Sequence, residues 1–241
     1  MHKKPMVFAH RGASYDYPEN TMIAFEKAVE MGAQGFELDV QLSQDNEVVV
    51  IHDETVNRTS DQDGNVKDYT LKQLKDMDFG VGFSAYNDVR IPTLDEVMAL
   101  AADANIVINV EIKNTLYPYP GLPEKVVAIA KHYGMMDRLV VSSFHHPSLV
   151  ALKEMDQKVE TALLYESTLY QPWQYAKACK ADGIHPYYLA IDEDVVDHCH
   201  KNGIAVRPWT VDNPDTMKRL CHWGVDAIIS NCPDVALKIT R

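Results

Sequence analysis

Two histidines and three acids stand at the ends or on alternate positions of apolar runs, where a fold could gather them. His10 closes MVFAH and is followed by Arg11 and Gly12, while His52 closes EVVVIH and is followed by Asp53. Glu37 and Asp39 alternate with apolar residues in GFELDVQL, as Glu111 and Lys113 do in IVINVEIK. Imidazoles titrate at about pH 6.5 when unperturbed, so a pair of them can serve as acid and base near neutrality. Two carboxylates about 4 Å apart repel by roughly 4 kcal/mol at an effective dielectric near 20, so Glu37, Asp39 and Glu111 together need a cation or bound protons. Lys113 could neutralise one charge, but a single divalent ion, Mg²⁺ or Ca²⁺, suits three oxygen ligands better. Arg11 and Lys113 supply donors for an anion such as phosphate. A metal, two cations, an acid and a base are the means for phosphoryl chemistry without a covalent protein nucleophile.

The elements that must position these residues follow from the pattern. Strands are expected at 6–10, 35–42, 47–52, 106–112, 139–144, 159–165, 182–187, 204–209 and 225–230, alternating with helical stretches. Only SQDN separates the second strand from the third, too little for a parallel crossover, so those two form an antiparallel hairpin. Pairing positions that sum to about 89 sets His52 beside Glu37. Eight parallel strands remain, and the expected fold class is α/β, a closed (βα)8 barrel. Strand alternation turns Phe36, Leu38, Val40 and Leu42 toward the helices and Glu37, Asp39 and Gln41 inward, with Asn109, Glu111 and Lys113 inward likewise. Asn20 is expected to cap the helix that Gly32 ends, and Thr93 with Glu96 has capping-box spacing. Residues 54–91 are polar and glycine-punctuated, which predicts a rim insertion too small for a separate core, so that 1–241 is one domain.

Composition narrows the partners. The 241 residues are 46% hydrophobic, enough for a sizeable core, and the net charge of -12 argues against nucleic acid as a partner. No apolar run is long enough to span a bilayer, and Met1 to Met6 is too short and polar for a secretion signal, so no stable membrane insertion and a cytoplasmic setting are expected. No motif speaks to oligomeric state. Cys179, Cys199, Cys221 and Cys232 fit neither a zinc site nor a disulfide framework and are expected as free thiols. His198 and His200, two apart on a helix, point in different directions and do not make a metal pair. His185 reads as a structural histidine. Tyr119, Tyr165, Tyr170 and Trp173 fall in or near loops after strands and could together wall a choline group.

The block AHRGASYDYPENTMIAFEKAVEMGAQGFELDVQLSQDNEVVVIHDETVNRT closely resembles the glycerophosphodiester phosphodiesterase family, and VEIKN, YPGLPEKVV, SSFHHPSL, RPWTVDN and SNCPD extend the likeness over nearly the whole chain. The resemblance implies a TIM barrel with one divalent cation that hydrolyses glycerophosphodiesters, such as those of choline or ethanolamine, to glycerol 3-phosphate and an alcohol. It implies Glu37, Asp39 and Glu111 as metal ligands, His10 and His52 as general acid and base, and Arg11 and Lys113 as phosphate-binding cations. Ser143, Phe144 and Trp209 match substrate-lining positions. In the reaction it implies, one histidine takes a proton from a metal-polarised glycerol hydroxyl and the other protonates the alcohol. A cyclic phosphate opened by water, or direct attack by water, both satisfy these residues. Cys232 in SNCPD departs from the bulkier or charged residue more usual there. Two other readings use the same residues: a lysophospholipid or phosphoinositide-type diesterase, which needs an apolar mouth, and a phosphate-ester binding protein without turnover.

Overall fold

Each strand that the hydrophobic pattern places is present in the computed structural model, which describes residues 4–240. Residues 1–3 of the polar N-terminal stretch and Arg241 lie outside the described residues. The strands are β1 (Met6–His10), β2 (Gly35–Leu42), β3 (Val48–Val50), β4 (Val107–Ile112), β5 (Leu139–Ser143), β6 (Glu160–Tyr165), β7 (Gly183–Pro186), β8 (Ala205–Val206) and β9 (Ala227–Ser230). The helices used below are α1 (Met22–Met31), α2 (Leu71–Asp76) and α3 (Leu94–Asp103), and further helices follow β4 to β9 in turn.

The strands run in the order β8-β7-β6-β5-β4-β2-β1-β9, all parallel, with β3 joining this sheet through β2 and bridged on its other side by Thr93. The seam between β8 and β9 is bridged by backbone hydrogen bonds, Asp226 N to Val206 O, Ile229 N to Pro208 O and Val211 N to Ile229 O, so eight parallel strands form a nearly closed TIM barrel. β8 is shorter than the expected 204–209, because Pro208 has no N–H to donate. Phe36, Leu38, Val40, Ile108, Val110 and Ile112 are buried in the layer between sheet and helices, the face that parity assigns them.

Two local expectations need correction. The hairpin pairs Val40 with Val50 and Leu42 with Val48, a sum of 90, and β3 ends two residues before His52. His52 therefore lies beyond the ladder rather than opposite Glu37, the last backbone bond to β2 being Ile51 N to Asp39 O. The cap of α1 is Thr21, whose side chain accepts from Ala24 N, and not Asn20. Asn20 has φ 55° and reaches into the barrel mouth. Gly32 ends α1 in the left-handed region, and the Thr93–Glu96 capping box starts α3, both as expected.

The insertion at 54–91 has a satellite hydrophobic cluster, in which Val56, Val66, Leu74, Phe79, Val89 and Ile91 pack with Val49 and Ile51 of the hairpin. This core is shared with the hairpin, so the insertion clamps the segment that carries His52. A second capping box, Thr70 with Gln73, starts its helix α2. All four cysteines are free thiols. Among the described residues no helix is long and apolar enough to cross a membrane.

Candidate active site

At the C-terminal ends of the strands lies a cavity of about 250 Å³, lined by His10, Arg11, Glu37, His52, Asn109, Glu111, Lys113, Phe144, Leu164, Glu166, Trp209 and Ile229. The register explains the convergence. β1 sets His10 beside Glu37, and β2 sets Glu37 beside Asn109 and Asp39 beside Glu111. One oxygen from each of Glu37, Asp39 and Glu111 lies within 4.8 Å of the other two, and all three residues are buried.

His10 is followed by a tight turn. Arg11 is left-handed with φ 57°, and Gly12, at φ 82°, backs onto α1 so closely that a Cβ there would stand 2.6 Å from the Ala24 carbonyl carbon. Only glycine fits, which accounts for the third residue of HRG. The turn lets Arg11 N donate to Glu37 Oε2 at 3.2 Å and swings its guanidinium over the acids, with Nε 3.3 Å from Asp39 Oδ2 and Nη1 3.0 Å from Glu19 Oε1. Lys113 Nζ donates to Glu111 Oε1 at 2.9 Å, lies 3.9 Å from Asp39 Oδ1 and 3.2 Å from His52 Nε2. Asn20 Nδ2 donates to Asp39 Oδ2 at 2.9 Å, the use to which it is put in place of capping.

The histidines enter from different walls and are held at their far nitrogens. His10 Nδ1 lies 2.6 Å from Asn231 Oδ1, an atom that can only accept, so Nδ1 carries the proton and the Nε2 lone pair faces the cavity, 3.7 Å from Glu37 Oε2. Asn231 is in turn fixed by Asp212, which accepts from its Nδ2 at 2.7 Å and its backbone N at 2.9 Å. His52 Nδ1 lies 2.6 Å from Asp53 Oδ1. Gln41 anchors the segment that bears His52, its Nε2 donating to the backbone oxygens of Asp53 at 2.6 Å and His52 at 3.1 Å. Arg58 then forks across two carboxylates, donating to Asp53 through Nε at 2.7 Å and to Glu19 through Nη1 at 2.7 Å. A continuous chain, His52–Asp53–Arg58–Glu19–Arg11, thus links both sides of the cavity.

The electrostatics follow from three buried acids facing two cations. Burial pushes the Glu37 carboxyl well above its ordinary range, with Asp39 and Glu111 adding to the effect. Burial and Asp39 push Glu111 up to about 7 against the pull of Lys113. For Asp39 burial also raises the pKa, but Arg11, His52 and Lys113 outweigh it and hold the carboxyl well below the usual range. Burial and Arg11 bring His10 down to about 4, so its ring is neutral at pH 7. Asp39 Oδ1 and Asn109 Oδ1 are buried without a hydrogen-bond partner among the described residues. An all-oxygen set with raised carboxyl pKa values and orphaned oxygens fits a hard divalent cation.

Of the residues singled out from sequence, His10, Arg11, Glu37, His52, Glu111, Lys113, Phe144 and Trp209 line the cavity, and Asp39 lies directly beneath Arg11. Ser143 is not brought there. Ladder partners share a face, and Glu111 pairs with Ser142, so Ser143 points outward, where its hydroxyl donates to Ile112 O at 2.9 Å. The expected aromatic wall is brought together only in part: Tyr165 and Tyr170 line one open groove that adjoins the cavity at Phe144, while Tyr119 and Trp173 lie apart from it. Tyr119 is buried and donates to Gln41 Oε1, Trp173 stacks on His198, and Tyr170 is 91% exposed. His185 is fully buried in the barrel interior, its Nε2 3.4 Å from Arg207 Nη1 and its Nδ1 without a partner among the described residues, so it is structural in place but not fully satisfied. Glu19, Gln41, Arg58, Asp212 and Asn231 went unassigned at the sequence level, although ENT, VNRT, TVDN and SNCPD carry four of the five.

The model of the glycerophosphoryl diester phosphodiesterase family matches residues 10–235. A glycerophosphodiester phosphodiesterase of Caldanaerobacter subterraneus is 44% identical over 99% of this chain and 98% of its own length, and one of Bacillus altitudinis is 43% identical over 97% of each. Among solved structures, a phosphodiesterase of Oleispira antarctica in complex with its product sn-glycerol-3-phosphate superposes with a TM-score of 0.86 at 27% identity, covering 98% of this chain and 96% of that one. A glycerophosphodiester phosphodiesterase of Thermotoga maritima gives 0.77 at 29% identity over 99% and 100%. Similarity of this extent, carried by the barrel as a whole and not by one motif, makes the chain an enzyme of the glycerophosphoryl diester phosphodiesterase family.

Proposed function

We propose that the chain is a single barrel domain that hydrolyses small glycerophosphodiesters to glycerol 3-phosphate and an alcohol, with a divalent cation, Mg²⁺ or Ca²⁺, held by Glu37, Asp39 and Glu111. The observation that carries this reading is the meeting, in one cavity, of three buried carboxylates with two cations and two histidines on different walls. A divalent cation bound there supplies positive charge to the phosphate and lowers the pKa of a hydroxyl it polarises. Arg11 and Lys113 bind and orient the phosphate oxygens through a planar fork and a point charge respectively. His10, kept neutral and with its Nε2 lone pair directed into the cavity by Asn231, takes the proton from the attacking hydroxyl, that of water or of the substrate's glycerol; in the second case water then opens the cyclic phosphate with the histidine roles exchanged, giving glycerol 3-phosphate. His52, its ring oriented by Asp53 and its backbone by Gln41, takes up a proton from solvent at Nε2 as Lys113 Nζ, 3.2 Å away, turns to the phosphate, and gives that proton to the departing alcohol. Phe144 and Trp209, edge to face with centroids 5.6 Å apart, wall the substrate from water.

The test is release of glycerol 3-phosphate from glycerophosphocholine, glycerophosphoethanolamine and glycerophosphoglycerol by metal-stripped protein with and without added Mg²⁺ or Ca²⁺. Release that depends on the ion supports the reading. Equal release in thoroughly chelated protein refutes the metal's part, and tight binding of the diesters with no product by phosphorus NMR refutes hydrolysis.

A further inference from the structure

Three cavities meet at Phe144 and Glu166: the catalytic one, a second of about 330 Å³ that also reaches Glu54 and Thr115, and an open groove of about 570 Å³. The meeting point is built by strand parity. β5 turns Ser142 inward and β6 turns Ala162 and Leu164 inward, so Phe144 and Glu166, one step beyond the two strand ends, continue those rows into the mouth. Glu54 arrives from the other side, two residues after His52. Among the described residues neither Glu54 nor Glu166 has an ion-pair partner, because the cations nearby are engaged: Lys113 with Glu111 and Arg58 with Asp53 and Glu19.

We propose that this mouth is a subsite for a leaving alcohol that carries an ammonium group, recognised by Glu54 and Glu166 with the ring of Phe144. The proposal rests on the reading above, in which His52 protonates the departing alcohol. That role places the alcohol on the wall from which Glu54 projects. In an ethanolamine or choline diester the nitrogen stands two carbons beyond the leaving oxygen, a reach that suits the adjoining cavity lined by Glu54 and Glu166. Two carboxylates and an aromatic ring are the partners a cation of that kind selects. The charge balance works in the same direction. A diester of an uncharged alcohol is a net anion and meets two further negative charges on entry, whereas the zwitterionic diester brings the cation that offsets them. An apolar alcohol would desolvate both carboxylates without replacing their lost hydration.

The experiment compares kcat/KM for glycerophosphocholine and glycerophosphoglycerol, which release the same glycerol 3-phosphate, in the wild type and in the Glu54→Gln/Glu166→Gln double variant. The expected result is a wild-type preference for the choline diester that falls about tenfold in the double variant, the factor to which about 1.4 kcal/mol corresponds. Phe144→Leu should lower the same ratio. A ratio unchanged in the double variant overturns the proposal, and a wild-type preference for a hexanol diester over both would assign the mouth to apolar alcohols instead. Should the wild type turn over neither diester, it is the proposed hydrolysis that fails. The subsite is then read by calorimetric titration of the two diesters into wild type and double variant, where equal affinities in the wild type, or a discrimination the variant retains, count against it.

Discussion

The cluster Glu37–Asp39–Glu111 makes cation binding and proton release two sides of one event. Burial, with a repulsion of roughly 3.5 kcal/mol per carboxylate pair at 4.8 Å and an effective dielectric of 20, raises the pKa values of Glu37 and Glu111, so both bind protons more readily than ordinary carboxylates when no cation is present. A bound cation must displace those protons, so its apparent affinity weakens as pH falls through the raised pKa values. With Glu111 pushed up to about 7, the competition is nearly absent at pH 8 and about tenfold at pH 6, or roughly 1.4 kcal/mol, before Glu37 adds its share. Glu111 alone should release about 0.9 proton per ion bound at about pH 6 and about 0.1 near pH 8. Isothermal titration of Mg²⁺, Ca²⁺ or Mn²⁺ into chelator-treated protein, in two buffers of different ionisation heat, counts those protons directly. At a hundredfold excess over its Kd the ion should also stabilise the fold by about 2.7 kcal/mol, a rise in Tm of roughly 5 to 11 °C for a chain of this size. An affinity that stays constant from pH 8 to pH 6, or that survives intact in Glu37→Gln/Glu111→Gln, would refute the reasoning.

Further predictions concern the groups around that cluster. His10→Ala and His52→Ala should each lower kcat by about 10²- to 10⁴-fold while circular dichroism stays unchanged, and near-full activity in either removes that residue from the chemistry. Asn231→Leu should lower kcat by about ten- to a hundredfold, since loss of a half-buried hydrogen-bond partner worth roughly 1–3 kcal/mol frees the His10 ring to turn, and Asn231→Asp should retain more activity than Asn231→Leu. Arg58→Ala should reduce kcat by about tenfold with a Tm change under about 4 °C, because the guanidinium is half exposed and contributes little to stability. Arg58→Lys should recover only part of that loss, as an ammonium cannot fork across Asp53 and Glu19, and added guanidinium should restore activity to Arg58→Ala if orientation is what it lacks.

Much of this site is legible in the sequence because strand alternation is a strict rule. The inward set Glu37, Asp39, Asn109 and Glu111 follows from parity alone, and the four-residue SQDN link is enough to identify the hairpin. What escapes is whatever depends on chain leaving its ladder. His52 lies past the end of β3, so a register sum cannot place it, and a slip from 89 to 90 already changes its neighbour. The bond between His10 and Asn231 joins residues 221 apart in the chain, and Arg58 reaches Glu19 across 39. Both rest on loops shaped by left-handed residues such as Arg11 and Asn20, which pattern does not flag. Ser143 shows the opposite failure, in which likeness of motif pointed to a residue that parity turns away from the cavity.

Because the imidazole at position 52 rides on a hairpin outside the eight-strand ladder and is clamped by a satellite core, it is expected to open as a cooperative unit separate from the one at position 10. Warming can release the rim while the barrel stays folded. Turnover should then vanish several degrees before far-ultraviolet ellipticity does, and return on cooling without any refolding of the main body.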